Sequence, residues 1–267
     1  MKPMGLDHYR AKGWLRFPAD AGTMAWSEHA RVLAQDAVAD PAHAAWLDCE
    51  GTWFIGVDAL PNDPAGQLAD GPPLQGPAID FITRQIGPLG ALHRAQLSVI
   101  YPGYPRPRQG ESTAAFGYRR NRDAAHVDGV KMFGEARRRR VEEPHAWVLG
   151  LPLNATSPDA APLVVWEGSH EIMRAAFAAA FAGVAPEDWH AVDVTDSYSA
   201  ARREVFETCP RVTVHAQPGE AYLMHRLCLH GVAPWGDDAT APAGEGRMIA
   251  YFRPELADWQ TRWLTDP

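Results

Sequence analysis

The chain has 267 residues, a formal net charge of −8 and a hydrophobic fraction of 46%. This length fits one or two domains with a substantial core, and the composition excludes a disordered chain. The acidic balance argues against nucleic acid or an anionic membrane surface as the main partner. No apolar stretch reaches the roughly 18 residues of a membrane span, no signal-peptide pattern is visible, and the three cysteines are too scattered for a disulfide framework. We therefore expect a cytoplasmic protein.

The first third of the chain is predicted to be mainly helical. A helix is expected to begin at Ser27, which can act as the N-cap, with Glu28 in the first turn. The stretch Leu60–Pro77 is rich in proline and glycine and is predicted to be a loop, after which a helical pattern resumes. We interpret residues 1–92 as a mainly helical buttress within a single domain that spans residues 1–267.

From residue 93 onward, short strand patterns separated by turns dominate. Polar and apolar residues alternate at Gln96–Tyr101, as in a half-buried strand. Five similar runs follow, at Ala146–Leu153, Pro162–Trp166, Arg211–His215, Ala221–Leu229 and Arg247–Phe252. Helical inserts are expected near Ser169–Gly183 and Asp196–Thr208. The pattern predicts a mostly β core over residues 93–255, a sandwich or barrel with flanking helices. It lacks the regular strand–helix alternation and the glycine-rich phosphate loop of nucleotide-binding folds.

One histidine has an acid two residues further on, in the stretch AAHVDG: His126 is followed by Asp128. Residues two apart on an extended strand face the same side, so this imidazole and carboxylate can bind one ion. The small residues around them, Ala124, Ala125 and Gly129, are interpreted as leaving room for further ligands. A chain with 11 histidines and 33 acids yields about one such pair by chance, so an ordinary histidine and a turn aspartate explain the pair taken alone. A nitrogen and a hard oxygen suit Fe(II), provided that a second histidine completes the set.

Two candidates for that second histidine lie on or at the end of one predicted strand, His225 and His230. Distant strands lie side by side in a barrel, so their long separation from the first pair is no obstacle. The next predicted strand begins with Arg247, and Arg253 follows on the same face. A guanidinium at the end of a strand can bind a carboxylate through two hydrogen bonds.

Four motifs follow one another within residues 93–253: HVD (126–128), GSH (168–170), HRLCLHGVAPW (225–235) and GRMIAY (246–251). In this order they resemble the phytanoyl-CoA dioxygenase family of non-haem, 2-oxoglutarate-dependent oxygenases. The resemblance implies a double-stranded β-helix, that is, a cupin-like jelly roll, with supporting helices. It also implies Fe(II) as the metal, 2-oxoglutarate as cosubstrate and O2 as the oxidant.

Residue by residue, the resemblance implies that His126, Asp128 and His230 are the catalytic metal ligands. It favours His230 over His225 because the family's ligand histidine stands directly before a glycine, as His230 does. His170 of the GSH motif is interpreted as structural. The presence of Asp128 favours hydroxylation over halogenation, because related halogenases carry a small residue at that position.

Arg247 matches the family's arginine that binds the remote carboxylate of 2-oxoglutarate. Its distance from His230 is longer than is usual in the family, and the loop 236–246 accounts for the excess. Arg253 is the alternative. Val232 stands where many members carry a hydroxyl residue that also contacts the cosubstrate, which leaves the full set of cosubstrate contacts open.

The implied activity is that of a 2-oxoglutarate-dependent dioxygenase that hydroxylates a small organic or acyl substrate and converts 2-oxoglutarate to succinate. Two alternatives stay open: a cupin-like binding or sensor protein, and a cupin metalloenzyme that does not use 2-oxoglutarate. The run Arg137–Arg140 either forms a charged lid over the site or is a solvated run offset by nearby glutamates. We expect a small-molecule substrate and no nucleic acid or membrane partner. The sequence determines neither the substrate nor the oligomeric state.

Overall fold

Two antiparallel sheets form the core of the protein, described here by a computed structural model that covers residues 4–267. The strands are β1 (Trp14–Phe17), β2 (Leu47–Asp48), β3 (Trp53–Gly56), β4 (Gln96–Ile100), β5 (Val130–Phe133), β6 (Arg138–Val141), β7 (Trp147–Pro152), β8 (Leu163–Trp166), β9 (Arg211–Val214), β10 (Ala221–His225), β11 (His230–Val232) and β12 (Arg247–Phe252). The large sheet has the order β1-β10-β7-β12-β4-β3-β2, the small sheet has the order β11-β8-β9, and β5 pairs with β6 as a separate hairpin. The predicted strands are therefore present, although Ala221–Leu229 is divided: β10 ends at His225 and a turn leads to β11.

The described residues also form seven α-helices. They are α1 (Met4–Lys12), α2 (Ala21–Ala39), α3 (Pro77–Phe81), α4 (Thr113–Asn121), α5 (Ser169–Phe181), α6 (Thr195–Thr208) and α7 (Trp259–Arg262). Short 3-10 helices lie at Pro41–Trp46 and Pro186–Ala191, and one π-helical turn lies at Ile82–Ile86. Within the described residues, no helix combines the length and the apolar character needed to cross a membrane.

The start of α2 differs from the prediction. Asp20 is the N-cap: its Oδ1 accepts hydrogen bonds from the backbone N–H groups of Gly22, at 2.8 Å, and Thr23, at 3.2 Å. Ser27 was wrongly predicted as the cap, since it lies fully buried inside the helix. Asp and Ser are both residue types that cap helices, so the sequence alone does not show which of the two begins α2. The packing of the helix on the sheet decides it.

Apolar side chains divide the molecule into layers. The buried alanines of α2 recur at helical spacing, and with Trp26 they pack on the outer face of the large sheet, against Leu97, Val99 and Ala250. On the other side, α5 and α6 cover the outer face of the small sheet, where Phe177 packs in the same cluster as Trp166. A third apolar cluster lies between the two sheets.

Because side chains alternate along a strand, each strand of the large sheet sends one set of residues towards α2 and the other towards the small sheet. In β12, Met248, Ala250 and Phe252 belong to the helix-facing core, whereas Ile249 belongs to the cluster between the sheets. Arg247 and Arg253 are each an even number of residues from Ile249. They therefore lie on the same face as Ile249, the face that looks into the space between the sheets.

The N-terminal third contributes strands as well as helices. β1 pairs with β10, and β3 pairs with β4 from Trp53 opposite Ile100 to Gly56 opposite Leu97. The large sheet thus continues across residue 92, the predicted boundary between buttress and core. That division within a single domain stays a prediction.

Candidate metal centre and its cavity

Three side chains from two distant segments meet at one end of the space between the sheets. His126 Nε2 lies 3.1 Å from Asp128 Oδ1, and His230 Nε2 lies 3.8 Å from the same oxygen. One ligand atom from each residue falls within 4.8 Å of the others, which is compatible with a single metal ion among them. The structure therefore brings the predicted His, Asp and His together.

Backbone pairing fixes the two histidines relative to each other. His126 N–H donates to the His230 carbonyl at 2.8 Å, and His230 N–H donates to the His126 carbonyl at 3.1 Å. This pair of bonds adds His126 to the free edge of β11, whose other edge pairs with β8. The two rings consequently lie side by side, with centroids 4.7 Å apart.

The backbone also sets the tautomer of each ring. His126 Nδ1 lies 3.0 Å from the Ala124 carbonyl oxygen, and His230 Nδ1 lies 2.9 Å from the Cys228 carbonyl oxygen. A carbonyl can only accept, so each Nδ1 carries the proton and donates it. Both Nε2 lone pairs are then free to bind a metal.

Burial and charge favour the protonation states that a metal requires. Burial lowers the pKa of His230 to about 4, against the opposing attraction of Asp128, so the ring is neutral at neutral pH. Burial alone would raise the pKa of the Asp128 carboxyl, but His230, His126 and Arg253 together hold it well below its usual range. His230 thus presents a neutral nitrogen and Asp128 an anionic oxygen.

The glycine beside Asp128 has a role in the backbone that was not predicted. Gly129 has a φ of +77°, and a Cβ there would lie 1.8 Å from the Glu143 carbonyl oxygen, so the glycine permits a close backbone approach. Gly129 also lines the cavity, and the interpretation that it leaves room for further metal ligands stays a prediction. Gly231 is required for a similar reason, because its Cβ would lie 2.1 Å from the Asp123 carbonyl oxygen, which accepts a hydrogen bond from Val232 N–H.

A cavity of about 380 Å³ opens beside the three side chains. Its apolar wall includes Ile55, Val148 and Leu163, and its polar wall includes Gln96 and Ser98. Sequence reasoning missed these polar residues as parts of the site. The available signal was the alternation in β4: the apolar Leu97 and Val99 face the helices, which leaves the polar set to face the interior.

Arg247 is a buried cation without an evident counter-ion. It is 5% exposed, and its Nε and Nη2 have no hydrogen-bond partner among the described residues. A buried guanidinium left in this state is costly, so the arrangement favours the binding of an anion. Arg247 is not among the residues that line the cavity, so its role as cosubstrate anchor stays a prediction.

Arg253, the alternative arginine, does line the cavity. Its Nη1 lies 3.7 Å from Asp128 Oδ1, and its side chain is 18% exposed. Lys131 lines the same cavity but is paired with Glu143.

The other predicted features lie outside the group of three. His225 and His170 are buried and pack against each other, with ring centroids 4.9 Å apart. The run Arg137–Arg140 lies on the β5–β6 hairpin and its connecting turn. In that run, Arg138 pairs with Asp193 and Asp196, and Arg140 pairs with Glu142. These ion pairs favour the interpretation of Arg137–Arg140 as a solvated surface run with acidic partners over its interpretation as a charged lid.

Comparison with known proteins bears on the fold. No protein-family model matches the chain, and no curated protein matches its sequence. Among solved structures, the chain resembles the non-haem α-ketoglutarate-dependent carbocyclase SnoK from nogalamycin biosynthesis, with a TM-score of 0.52 and 13% identity, covering 95% of this chain and 84% of SnoK. It also resembles EvdMO1, with a TM-score of 0.50 and 13% identity, covering 94% of this chain but 49% of EvdMO1. At this identity the likeness concerns the fold alone, and it confirms the predicted double-stranded β-helix with flanking helices.

Proposed function

We propose that the protein is an Fe(II)- and 2-oxoglutarate-dependent oxygenase that oxidises a small organic or acyl substrate, most simply by hydroxylation. The observation that carries the proposal is the convergence of two imidazole Nε2 atoms and one carboxylate oxygen within 4.8 Å beside a cavity. Two histidines and one carboxylate on one face, with open positions opposite, suit Fe(II) in oxygenases. The fold shared with SnoK supports the same class.

The residues present fit the metal. His126 and His230 offer Nε2 as the metal-binding atom because each Nδ1–H is held by a backbone carbonyl. Asp128 offers an anion that compensates part of the metal's charge. The fixed tautomers and the backbone bridge mean that little reorganisation is needed when the ion binds.

The interior arginine fits the cosubstrate. 2-Oxoglutarate is a dicarboxylate, and Arg247 is a buried guanidinium with two nitrogens free to donate. Charge-assisted, bidentate hydrogen bonds to a carboxylate satisfy such a group. We assign the remote carboxylate of 2-oxoglutarate to Arg247 on this basis.

When iron and 2-oxoglutarate are bound, a site of this class couples decarboxylation of the keto acid to oxidation of a substrate by O2. The residues of the chain itself would hold the metal and shield the reacting atoms from water. His126, Asp128 and His230 would hold the metal, and the cavity beside them would admit the cosubstrate and the substrate. The apolar wall of Val148 and Leu163 limits the access of water to the reacting atoms.

The test is anaerobic addition of Fe(II) and 2-oxoglutarate to the purified protein. We expect a weak visible charge-transfer band that is lost in Asp128→Ala, because that change removes the anionic ligand. Asp36→Ala is the matched control, since Asp36 is an exposed residue of α2. Absence of the band in iron-loaded wild-type protein would overturn the proposal.

Formation of succinate in air separates this proposal from its alternatives. A binding or sensor protein of the same fold forms no succinate from 2-oxoglutarate. A metalloenzyme of another type is active without added 2-oxoglutarate and is insensitive to replacement of Arg247. Elemental analysis of the purified protein identifies the resident metal in either case.

A further inference from the structure

The segment Asp123–Asp128, which carries two of the three proposed metal ligands, begins in an unfavourable backbone conformation. Asp123 and Ala124 are consecutive non-glycine residues with positive φ angles, of +51° and +54°. Residues other than glycine adopt this left-handed region rarely, and they keep it only where the surrounding structure holds them there. Because this turn lies directly before His126, the groups that hold the segment also set the position of the ligands.

The first residue of the segment is fixed at its side chain and at its backbone. Arg211, at the start of β9, donates to the Asp123 carboxylate through two hydrogen bonds, from Nε to Oδ2 at 2.7 Å and from Nη2 to Oδ1 at 2.8 Å. The Asp123 carbonyl oxygen accepts a hydrogen bond from Val232 N–H at 2.7 Å, which joins the turn to β11. These contacts secure the beginning of the segment.

Two side chains of α6 hold the backbone on either side of His126. The Tyr198 hydroxyl accepts a hydrogen bond from Val127 N–H at 3.0 Å. One turn further along the helix, Arg202 Nη2 donates to the Ala125 carbonyl oxygen at 2.9 Å. Residues four apart lie on the same face of a helix, so both side chains reach the segment from one side.

The side chains of the segment alternate between α6 and the cavity. Ala125 and Val127 are buried in the same apolar cluster as Tyr198. His126 and Asp128 line the cavity. A slip of an extended segment by one residue exchanges its two sets of side chains. The hydrogen bonds from α6 therefore determine which residues of the segment face the metal.

Aromatic rings hold Arg202 in its place. Its guanidinium carbon lies 5.6 Å from the ring centroids of Tyr198 and Phe206, and 6.0 Å from that of Tyr118. Cation–π contacts of this kind orient a planar guanidinium. Among the described residues, the bond to Ala125 is the hydrogen bond that the Arg202 side chain makes. Its donor is thus oriented in advance towards the ligand segment.

Resting on the proposed function, we propose that Tyr198 and Arg202 are positioning residues for the metal centre. They hold the backbone of the segment against α6 and thereby present His126 and Asp128 together towards His230. Neither residue belongs to the group of three ligands, so each acts through the backbone of the segment that carries them.

The test measures the Mn(II) affinity of Tyr198→Phe and Arg202→Met by anaerobic calorimetry. Tyr198→Phe removes the acceptor of Val127 N–H and leaves the ring in place. We expect each variant to bind Mn(II) ~10-fold or more weakly than wild type, the usual effect of losing a group that orients a metal ligand. Arg202→Lys keeps a charged donor and is expected to recover part of the affinity.

Two variants of the same helix are the matched controls. Val205→Ala removes buried apolar contacts from the same cluster and lowers the free energy of unfolding, but it removes no hydrogen bond to the segment. Arg203→Met removes an exposed positive charge beside Arg202. Both controls are expected to bind Mn(II) as tightly as wild type.

The visible absorption of bound Co(II) is the second measurement, since it reports the geometry of the ligands and not the stability of the fold. We expect the absorption bands to shift in Tyr198→Phe and to stay unchanged in Val205→Ala. Urea unfolding of each metal-free variant shows that the fold is intact.

Unchanged Mn(II) affinity and an unchanged Co(II) spectrum in folded Tyr198→Phe and Arg202→Met would overturn the assignment. An equal loss of affinity in Val205→Ala would overturn it as well, because the effect would then be one of general stability. Wild-type protein that binds no Mn(II) would overturn the proposed metal centre and this assignment with it, a result that the titration of the wild type alone identifies.

Discussion

Two histidines five positions apart in one stretch of chain differ in what their ring nitrogens contact. His225 Nδ1 accepts a hydrogen bond from Leu227 N–H at 3.0 Å, and its Nε2 lies 3.2 Å from the Arg174 guanidinium, so both ring nitrogens face donors. In His230, by contrast, Nδ1–H donates to a carbonyl and Nε2 is directed at Asp128. The local backbone thus directs His230 Nε2 towards the candidate metal centre and leaves His225 in the buried core.

This difference gives a prediction at the scale of the residue. His230→Ala should lower the affinity for Fe(II) or Mn(II) by more than ~100-fold, beyond the range typical of groups that only support a ligand. His225→Ala should retain the metal affinity and lower the free energy of unfolding by ~2 kcal/mol or more, because it leaves a cavity in a buried site. Anaerobic calorimetry measures the first effect and urea unfolding the second. A folded His225→Ala protein that has lost its metal affinity would contradict the assignment.

At the scale of the element, helix α2 supports the large sheet from outside. Its N-terminus depends on Asp20, which caps the first turn and whose own N–H donates to the Gly219 carbonyl, just before β10. The cap therefore ties the helix to the sheet as well as satisfying its free N–H groups.

Asp20→Ala is expected to lower the free energy of unfolding by ~1 kcal/mol, the typical cost of a lost N-cap. Asp36→Ala, in the same helix, is expected to change it by less than ~0.5 kcal/mol, because Asp36 is exposed. Urea unfolding followed by tryptophan fluorescence measures both. Equal effects of the two substitutions would show that the cap contributes nothing of its own.

Strand prediction from sequence succeeded in the second part of the chain and missed the strands of the first third. Gln96–Tyr101 was found because its polar and apolar residues alternate, and the later strands because they are short apolar or β-branched runs between turns. β2 and β3, with two and four residues, were not recognised, and they form because the edge of β4 is available to pair with β3. The first third of the chain was therefore predicted as mainly helical, although it also extends the large sheet.

For the whole molecule, the proposed metal joins segments that are far apart in sequence, so its binding should stabilise the native state. At a free metal concentration of 100 times the Kd, linkage adds about 2.7 kcal/mol to the free energy of unfolding. We expect Mn(II) to raise the Tm of the wild-type protein and not that of Asp128→Ala. Differential scanning calorimetry with and without a chelator measures the shift. An equal shift in both proteins would indicate metal binding elsewhere.

The candidate site was predictable in part. His126 and Asp128 were identified because they are two apart in sequence, and His230 through its order relative to familiar motifs. The place of Arg253 beside Asp128 was not predictable, because it depends on how β12 lies opposite a segment more than a hundred positions earlier. The strand pattern gives the face on which Arg253 lies but not its neighbours across the space between the sheets.

The backbone bridge between His126 and His230 has a consequence for the order of folding. Its two hydrogen bonds join a residue before the small sheet to the start of β11, so they form only after the intervening chain has closed on itself. Contacts of such long range are slow to form, because the entropy of loop closure is lost before they contribute. Metal capture during refolding is therefore expected to accompany the slowest phase, and a bound ion then reports a finished fold and not merely a collapsed chain.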